Sequence, residues 1–91
     1  MSYTICIPSV DKKYNKKFIY NIIDKYKFGK IKKIITVPNS FNSNIVFIGF
    51  HYWFYNEENN KLKELLNNKE CFKIIHDFPW FWKCYKAERK L

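Results

Sequence analysis

A chain of 91 residues, 47% of them hydrophobic and 21% aromatic, has enough apolar side chains for one folded domain over residues 1–91, which excludes a disordered protein. Its formal net charge of +9 favours a polyanionic partner. The longest apolar run is shorter than the roughly 18 residues that span a membrane, and the N-terminus lacks the segments of a secretory signal. We therefore expect a cytoplasmic protein without a membrane partner.

The positive charge is concentrated in two segments of the chain. Residues 11–33 contain nine lysines and two aspartates, and residues 71–91 contain five basic and two acidic residues, whereas residues 56–70 have a net charge close to zero. Lysine greatly outnumbers arginine, and asparagine and isoleucine are abundant, which indicates an AT-rich coding genome. Because such a genome raises the lysine content without any role in binding, the distribution of the charge is more informative than its total.

The first part of the chain predicts a strand, a helix and a second strand. Residues 3–8 alternate between apolar and other side chains until Pro8 ends the strand. Residues 11–27 carry one helical stripe of apolar side chains, and Gly29 is the predicted C-terminal stop. Residues 30–37 predict the second strand. Two side chains are candidates for the N-cap of the helix: Ser9 and Asp11.

The longest apolar run in the chain predicts a central strand over residues 44–52. Its β-branched and aromatic side chains alternate between the two faces of the sheet. One set is predicted to face the helices: Val46, Ile48 and Phe50. The other set is predicted to face away from the helices, as Cys6 does on the first strand: Ile45, Phe47, Gly49 and His51.

The last part of the chain predicts a second helix over residues 56–67, with Asn56 as its N-cap. Two strand-like segments follow, at 71–75 and 80–85, and either one, or both as a hairpin, provides the next strand of the sheet. In the segment 80–85, the alternation favours Trp80 and Trp82 facing inward, and the reverse is left open.

The order strand, helix, strand, strand, helix, strand predicts an α+β protein. The expected architecture is a ferredoxin-like β-α-β-β-α-β sandwich. Its four-stranded antiparallel sheet has the spatial order four-one-three-two, and both helices lie on one face.

The central strand resembles the octapeptide of the RNA-recognition-motif family, over residues 43–50. Phe47 occupies a position that stacks on bases in that family, and Ile48 and Phe50 occupy core positions. Ser43 stands where the family has a basic residue, and Cys6 stands at the exposed aromatic position of the first strand. The resemblance implies an RNA-recognition-motif-like fold that binds single-stranded RNA.

A narrower resemblance joins three short segments, residues 6–8, 29–31 and 79–83. Together they are similar to small RNA-recognition-motif-like proteins of giant DNA viruses of amoebae. This resemblance implies a viral protein, placed in the host cytoplasm or in a viral factory, and it implies no catalytic role.

Two hypotheses describe the sheet face that points away from the helices. In the first, it binds single-stranded RNA or DNA by base stacking and phosphate contacts. The residues predicted to do so are Phe47 and Tyr85 for stacking, and Lys33, Lys83, Lys86 and Arg89 for phosphates. In the second, the face forms an apolar interface with a second copy of the chain or with another protein. The residues of that interface are Cys6, Ile35, Val37, Ile45 and Phe47.

The sequence argues against catalysis and against a bound metal or cofactor. The three cysteines and two histidines have none of the spacings that bind zinc, and an odd number of cysteines argues against a disulfide framework. With two glycines in the chain, a glycine-rich phosphate loop is excluded. We therefore expect a binding module that is not an enzyme.

Overall fold

The computed structural model describes residues 3–77 and 79–88, which form an antiparallel sheet and two helices. Neither helix in this part of the chain is long and apolar enough to cross a membrane. The strand order in the sheet is β2-β3-β1-β5-β4. In chain order, the elements are β1 (Tyr3–Asp11), α1 (Lys16–Lys25), β2 (Gly29–Pro38), β3 (Ser43–Trp53), α2 (Glu57–Asn67), β4 (Phe72–Asp77) and β5 (Trp80–Lys86).

The predicted four-stranded ferredoxin-like sandwich is wrong, because the sheet has five strands and a different strand order. Both C-terminal segments are strands that pair with each other as a hairpin, with β5 beside β1 and β4 at the sheet edge. Phe72 and Ile74 on β4 are buried, as are Trp82 and Cys84 on β5. The hairpin therefore adds a two-stranded apolar surface to the core, which favours the extra strand.

The first helix begins later than predicted because β1 continues past Pro8 as far as Asp11. The register between β1 and β3 shifts between Ile7 and Val10, so a bulge accommodates the proline inside the strand. Asn15, and neither Ser9 nor Asp11, is the N-cap of α1, since its side chain accepts a hydrogen bond of 2.8 Å from the backbone N–H of Phe18.

The core confirms the alternation predicted for the central strand. Val46, Ile48 and Phe50 on β3 are fully buried, and so are Ile5 and Ile7 on β1. They pack beneath the apolar stripe of α1, whose buried residues are Ile19, Ile22 and Ile23. Because burial of each large apolar side chain is worth about 1.5–3 kcal/mol, these side chains fix which side of β1 and β3 faces the helices.

A buried amide joins α2 to the turn that follows α1. Asn59, which is 4% exposed, donates from its side-chain nitrogen to the carbonyls of Lys27 at 2.9 Å, Phe54 at 3.3 Å and Phe28 at 3.4 Å. The backbone carbonyl of Asn59 accepts a hydrogen bond of 2.8 Å from the indole N–H of Trp53. Asn56 caps α2, as predicted, by accepting from the Asn59 N–H at 2.8 Å.

The outer edge of β4 is covered by a side chain from the end of α1. The hydroxyl of Tyr26 accepts a hydrogen bond of 2.9 Å from the N–H of Ile75 and donates one of 2.8 Å to the carbonyl of the same residue. The tyrosine thus occupies both backbone groups that Ile75 would offer to a further strand.

Candidate nucleic-acid interface

The open face is the side of the sheet opposite the helices, and one row of side chains crosses four of its strands. Phe47 on β3 lies directly opposite Ile35 on β2 and Cys6 on β1, and Cys6 lies opposite Tyr85 on β5. All four are partly buried. The sheet therefore brings the two predicted stacking residues, Phe47 and Tyr85, into one row with a cysteine between them.

A second, more apolar row lies beside the first on β2 and β3. Val37 is directly opposite Ile45, and both are partly buried. With Cys6, Ile35 and Phe47, they bring together the five residues predicted for an apolar interface. Among these five, three side chains are aliphatic and Phe47 is the one aromatic.

The hairpin β4–β5 extends the open face, and its strand β4 adds Lys73 and Ile75, which the sequence analysis did not place there. Phe81, 41% exposed, lies opposite Ile75, 48% exposed, and Lys73 lies opposite Lys83. The ammonium of Lys73 is 4.4 Å from the centre of the Phe81 ring, which is a cation–π contact. The alternation of residues 71–75 was a sufficient signal for these positions, but it was not assigned to a particular strand of the sheet.

Lys73 and Lys83 are an exposed pair of like charges on neighbouring strands. Neither lysine forms an ion pair with a carboxylate within residues 3–77 and 79–88, where the ion pairs are Lys27–Asp24 and Lys61–Glu57. Like charges directly opposite each other destabilise a sheet. The pair is therefore a place where a bound anion would relieve a repulsion.

The remaining predicted phosphate contacts lie in different places. Lys33 is exposed on β2, opposite Gly49, next to the row that contains Phe47. Lys86 lies opposite Ile5, so it belongs to the helix side of the sheet and not to the open face. Arg89 lies outside the described residues.

The thiols of Cys6 and Cys84 are not activated, because burial raises the pKa of each. On the open face, the pKa of the Tyr85 hydroxyl is raised, mainly by a side-chain hydrogen bond with Cys71. Burial raises the pKa of Cys6, and it raises the pKa of the more deeply buried Cys84 further. Because a nucleophilic cysteine needs a lowered pKa, these thiols do not resemble catalytic ones. In the described part of the chain, no three His, Cys, Asp or Glu side chains are placed to hold a metal ion.

The strands β1 and β5 stay paired over a short distance only. Their register joins Ile5 to Lys86 and Cys6 to Tyr85, and the pairing recorded between them ends there, just before the bulge of β1. Two adjoining cavities, of about 360 and 380 Å³, open there and share Ser9, Phe81 and Trp82 in their walls. We call them together the β1–β5 cleft.

Trp80 lies at the wall of this cleft and is 67% exposed, so it is not part of the buried core. The register of the hairpin shifts between Ile75 and Asp77, which places Trp80 opposite Asp77 at the end of β5. The inward orientation is confirmed for Trp82, which is buried.

Comparisons of this chain with protein-family models, with curated proteins and with solved structures found no match. The resemblances to the RNA-recognition-motif family and to small proteins of giant DNA viruses therefore stay predictions.

Proposed function

We propose that this protein binds single-stranded RNA or DNA through the open face and that it is not an enzyme. The observation that carries the proposal is the cross-strand pair Lys73 and Lys83, which has no carboxylate partner among the described residues. A phosphate bound between the two ammonium groups removes their repulsion and gains a charge-assisted contact with each.

The aromatic side chains beside these lysines supply surfaces on which bases can stack. Phe81 is two residues from Lys83 on the same face of β5 and in contact with Lys73, and Tyr85 is two residues beyond Lys83 on that face. Phe47 continues this surface across Cys6. Each stacked base is worth about 1–3 kcal/mol, so three aromatic side chains support binding that does not depend strongly on sequence.

The spread of the lysines favours an extended polyanion over a single phosphate. Lys33 lies on β2 and Lys73 on β4, which are the two edge strands of the sheet. Four strand spacings of about 4.8 Å separate these edges by roughly 19 Å. A single-stranded nucleic acid lying across the strands reaches both.

The test is fluorescence anisotropy of a labelled single-stranded RNA of eight nucleotides, titrated with protein at several salt concentrations. We expect Phe47→Leu and Phe81→Leu to weaken binding by fivefold or more each, since leucine keeps the apolar bulk but loses the π face. The matched control is Phe41→Leu, because Phe41 is an aromatic side chain that is 98% exposed in the turn between β2 and β3.

Two results would contradict the proposal. One is a binding constant that does not change with salt concentration, because phosphate contacts release counterions. The other is equal affinity for all three leucine variants, because the aromatic rings of the open face would then contribute no more to binding than the ring of Phe41 in the turn.

A second candidate function is self-association or protein binding through the aliphatic side chains of the open face. The observation in its favour is the adjacent placement of Ile35, Val37 and Ile45, each partly buried, on β2 and β3. Light scattering at increasing concentration tests self-association. The dimer is supported if the measured mass is twice that of one chain and if the substitution Ile35→Lys lowers it to the mass of a monomer. A monomeric mass at all concentrations excludes the dimer.

The proposed compartment is the cytoplasm. All three cysteines are free thiols, in agreement with a reducing environment.

A further inference from the structure

The floor of the β1–β5 cleft is a well-packed cluster of aromatic rings. The ring of His76 stacks on Trp82, with ring centres 4.4 Å apart and planes at 22°. Tyr14 packs with its edge against both rings, at 5.2 Å and 5.9 Å. Since each ring is held by two others, the floor is fixed before any ligand binds.

One wall of the cleft is exposed and aromatic. Trp80 lines the larger cavity, and two thirds of its surface is open to solvent. Phe81 lies in the walls of both cavities. The larger cavity, of about 380 Å³, falls within the range of roughly 300–1,000 Å³ that is usual for small-molecule sites. The exposed indole of Trp80 offers a flat surface on which a planar ring system can stack.

The charged groups of the larger cavity are of two opposite kinds. Asp77 and Asp11 offer carboxylates that only accept hydrogen bonds, and Lys13 offers an ammonium that only donates them. One oxygen of Asp11 is already engaged, because it accepts a hydrogen bond of 2.9 Å from the N–H of Lys13. Asp77 accepts no such hydrogen bond within the described residues, so both of its oxygens are open to a ligand, whereas Asp11 offers one.

Because the larger cavity holds the carboxylates of Asp11 and Asp77 as well as the ammonium of Lys13, we expect its ligand to offer both N–H donors and an anionic group. The ammonium of Lys13 already lies 5.2 Å from the centre of the Tyr14 ring, and Lys83 lines the adjoining cavity. Both lysines repel a cation and attract a phosphate. A suitable ligand has a planar ring with two adjacent N–H donors and a phosphate group. Among the nucleic-acid bases, guanine has this pair of donors, N1–H and the N2 amino group, on one edge.

We propose that the β1–β5 cleft binds a guanine nucleotide. The base stacks against Trp80, the carboxylate of Asp77 accepts from N1–H and the N2 amino group, and Lys13 contacts the phosphate. In a bound single strand this cleft holds one guanine, a role that rests on the proposed function. Binding of the free nucleotide does not rest on it.

The test is titration of the protein with GMP and with AMP, followed by quenching of tryptophan fluorescence and by calorimetry. We expect GMP to bind at least tenfold more tightly than AMP, because a carboxylate that accepts two hydrogen bonds from the correct base discriminates strongly against others. Trp80→Leu should abolish most of the quenching and weaken the binding of both nucleotides.

Asp77→Asn and Asp11→Asn are a matched pair of variants, since both remove one negative charge from the same cavity. Asp77→Asn should lower the affinity for GMP about tenfold and leave that for AMP unchanged. Asp11→Asn should leave both unchanged, because asparagine still accepts from the N–H of Lys13. Circular dichroism checks that each variant is folded.

Three results would overturn this inference: equal affinity for GMP and AMP, equal effects of the two asparagine variants, or binding of choline in the absence of GMP binding. The proposed function is tested separately with oligouridine. If oligouridine binds and GMP does not, the proposed guanine site is wrong and the proposed binding of nucleic acid at the open face is supported. If GMP binds and no oligonucleotide does, the open face is wrong and the cleft stands.

Discussion

Lys83→Glu is expected to stabilise the protein and to weaken nucleic-acid binding, and these two effects have one cause. The substitution turns the cross-strand pair with Lys73 from repulsive to attractive. Lys83 is the better lysine to substitute, because replacement of Lys73 would also remove its cation–π contact with the Phe81 ring.

The expected gain in stability follows from the geometry of the pair. Opposite charges directly across two strands contribute about 0.2–1 kcal/mol, and loss of a like-charge pair contributes a similar amount. Both side chains are exposed, so solvent screening brings the total to about 0.5–1 kcal/mol. For a domain of this size, that raises Tm by roughly 2–8 °C in a thermal unfolding experiment.

The expected loss of binding is read from its dependence on salt. Three lysines on the open face, Lys33, Lys73 and Lys83, predict a slope of about −2 for log K against log salt, at about −0.7 for each phosphate contact. In Lys83→Glu the new carboxylate neutralises Lys73 as well, so the slope falls to about −0.7. Between 50 and 200 mM salt, affinity then falls less than threefold, compared with roughly twentyfold for the unchanged protein.

Lys17→Glu is the control, because it makes the same change in net charge on α1, on the other side of the sheet. It should leave the salt slope unchanged. A Lys83→Glu protein that is less stable than the original would refute the repulsion between the two lysines. A slope equal to that of Lys17→Glu would refute their role in binding.

Three further predictions concern stability. Asn59→Ala should lower the free energy of unfolding by about 2–4 kcal/mol in urea, because it leaves buried carbonyls without a donor; a loss below 1 kcal/mol would contradict this. Burial raises the pKa of Tyr3 to about 12, and its hydroxyl is buried without a hydrogen-bond partner among the described residues. A group whose pKa is higher in the folded state contributes stability that is lost as pH rises, here from about 10 to 12. Tyr3→Phe should therefore reduce the fall of Tm at alkaline pH. It should also stabilise the protein by about 1 kcal/mol at pH 7, because it removes a buried hydroxyl without a partner. Burial lowers the pKa of His76, so the unfolded chain binds its proton more readily and stability should fall as pH drops below about 6.5. His76→Gln should flatten the dependence of Tm on pH between 7 and 5.5, and an unchanged slope would exclude this histidine as its cause.

The orientation of the central strand could be predicted from the sequence because its alternation is uninterrupted. Val46, Ile48 and Phe50 are each separated by one residue, and all three are buried as expected. The same regularity placed Phe47 on the open face. The row that joins Phe47 to Cys6 and Tyr85 depends on strand pairing, which a periodic pattern does not contain.

The parts that could not be predicted are those where long-range packing decides the outcome. A proline usually ends a strand, but β1 passes through Pro8 because a bulge keeps Val10 in the core. The pairing of β4 with β5 is likewise set by the burial of Phe72 and Trp82 beneath the helices, and this hairpin is what brings Lys73 opposite Lys83. The like-charge pair therefore could not be predicted from the sequence, where parts of both strands and the turn separate the two lysines.

The tyrosine that closes the edge of β4 also limits how this protein could assemble. A sheet with two available edges can add copies at both ends and grow into a filament. Here the hydroxyl of Tyr26 occupies the middle of one edge, which leaves β2 as the strand along which another sheet could extend. Two copies that pair through β2 each present a blocked edge outward, so edge-to-edge association ends at a closed pair. Tyr26→Phe removes that block, and slow fibre growth at high concentration would be its signature.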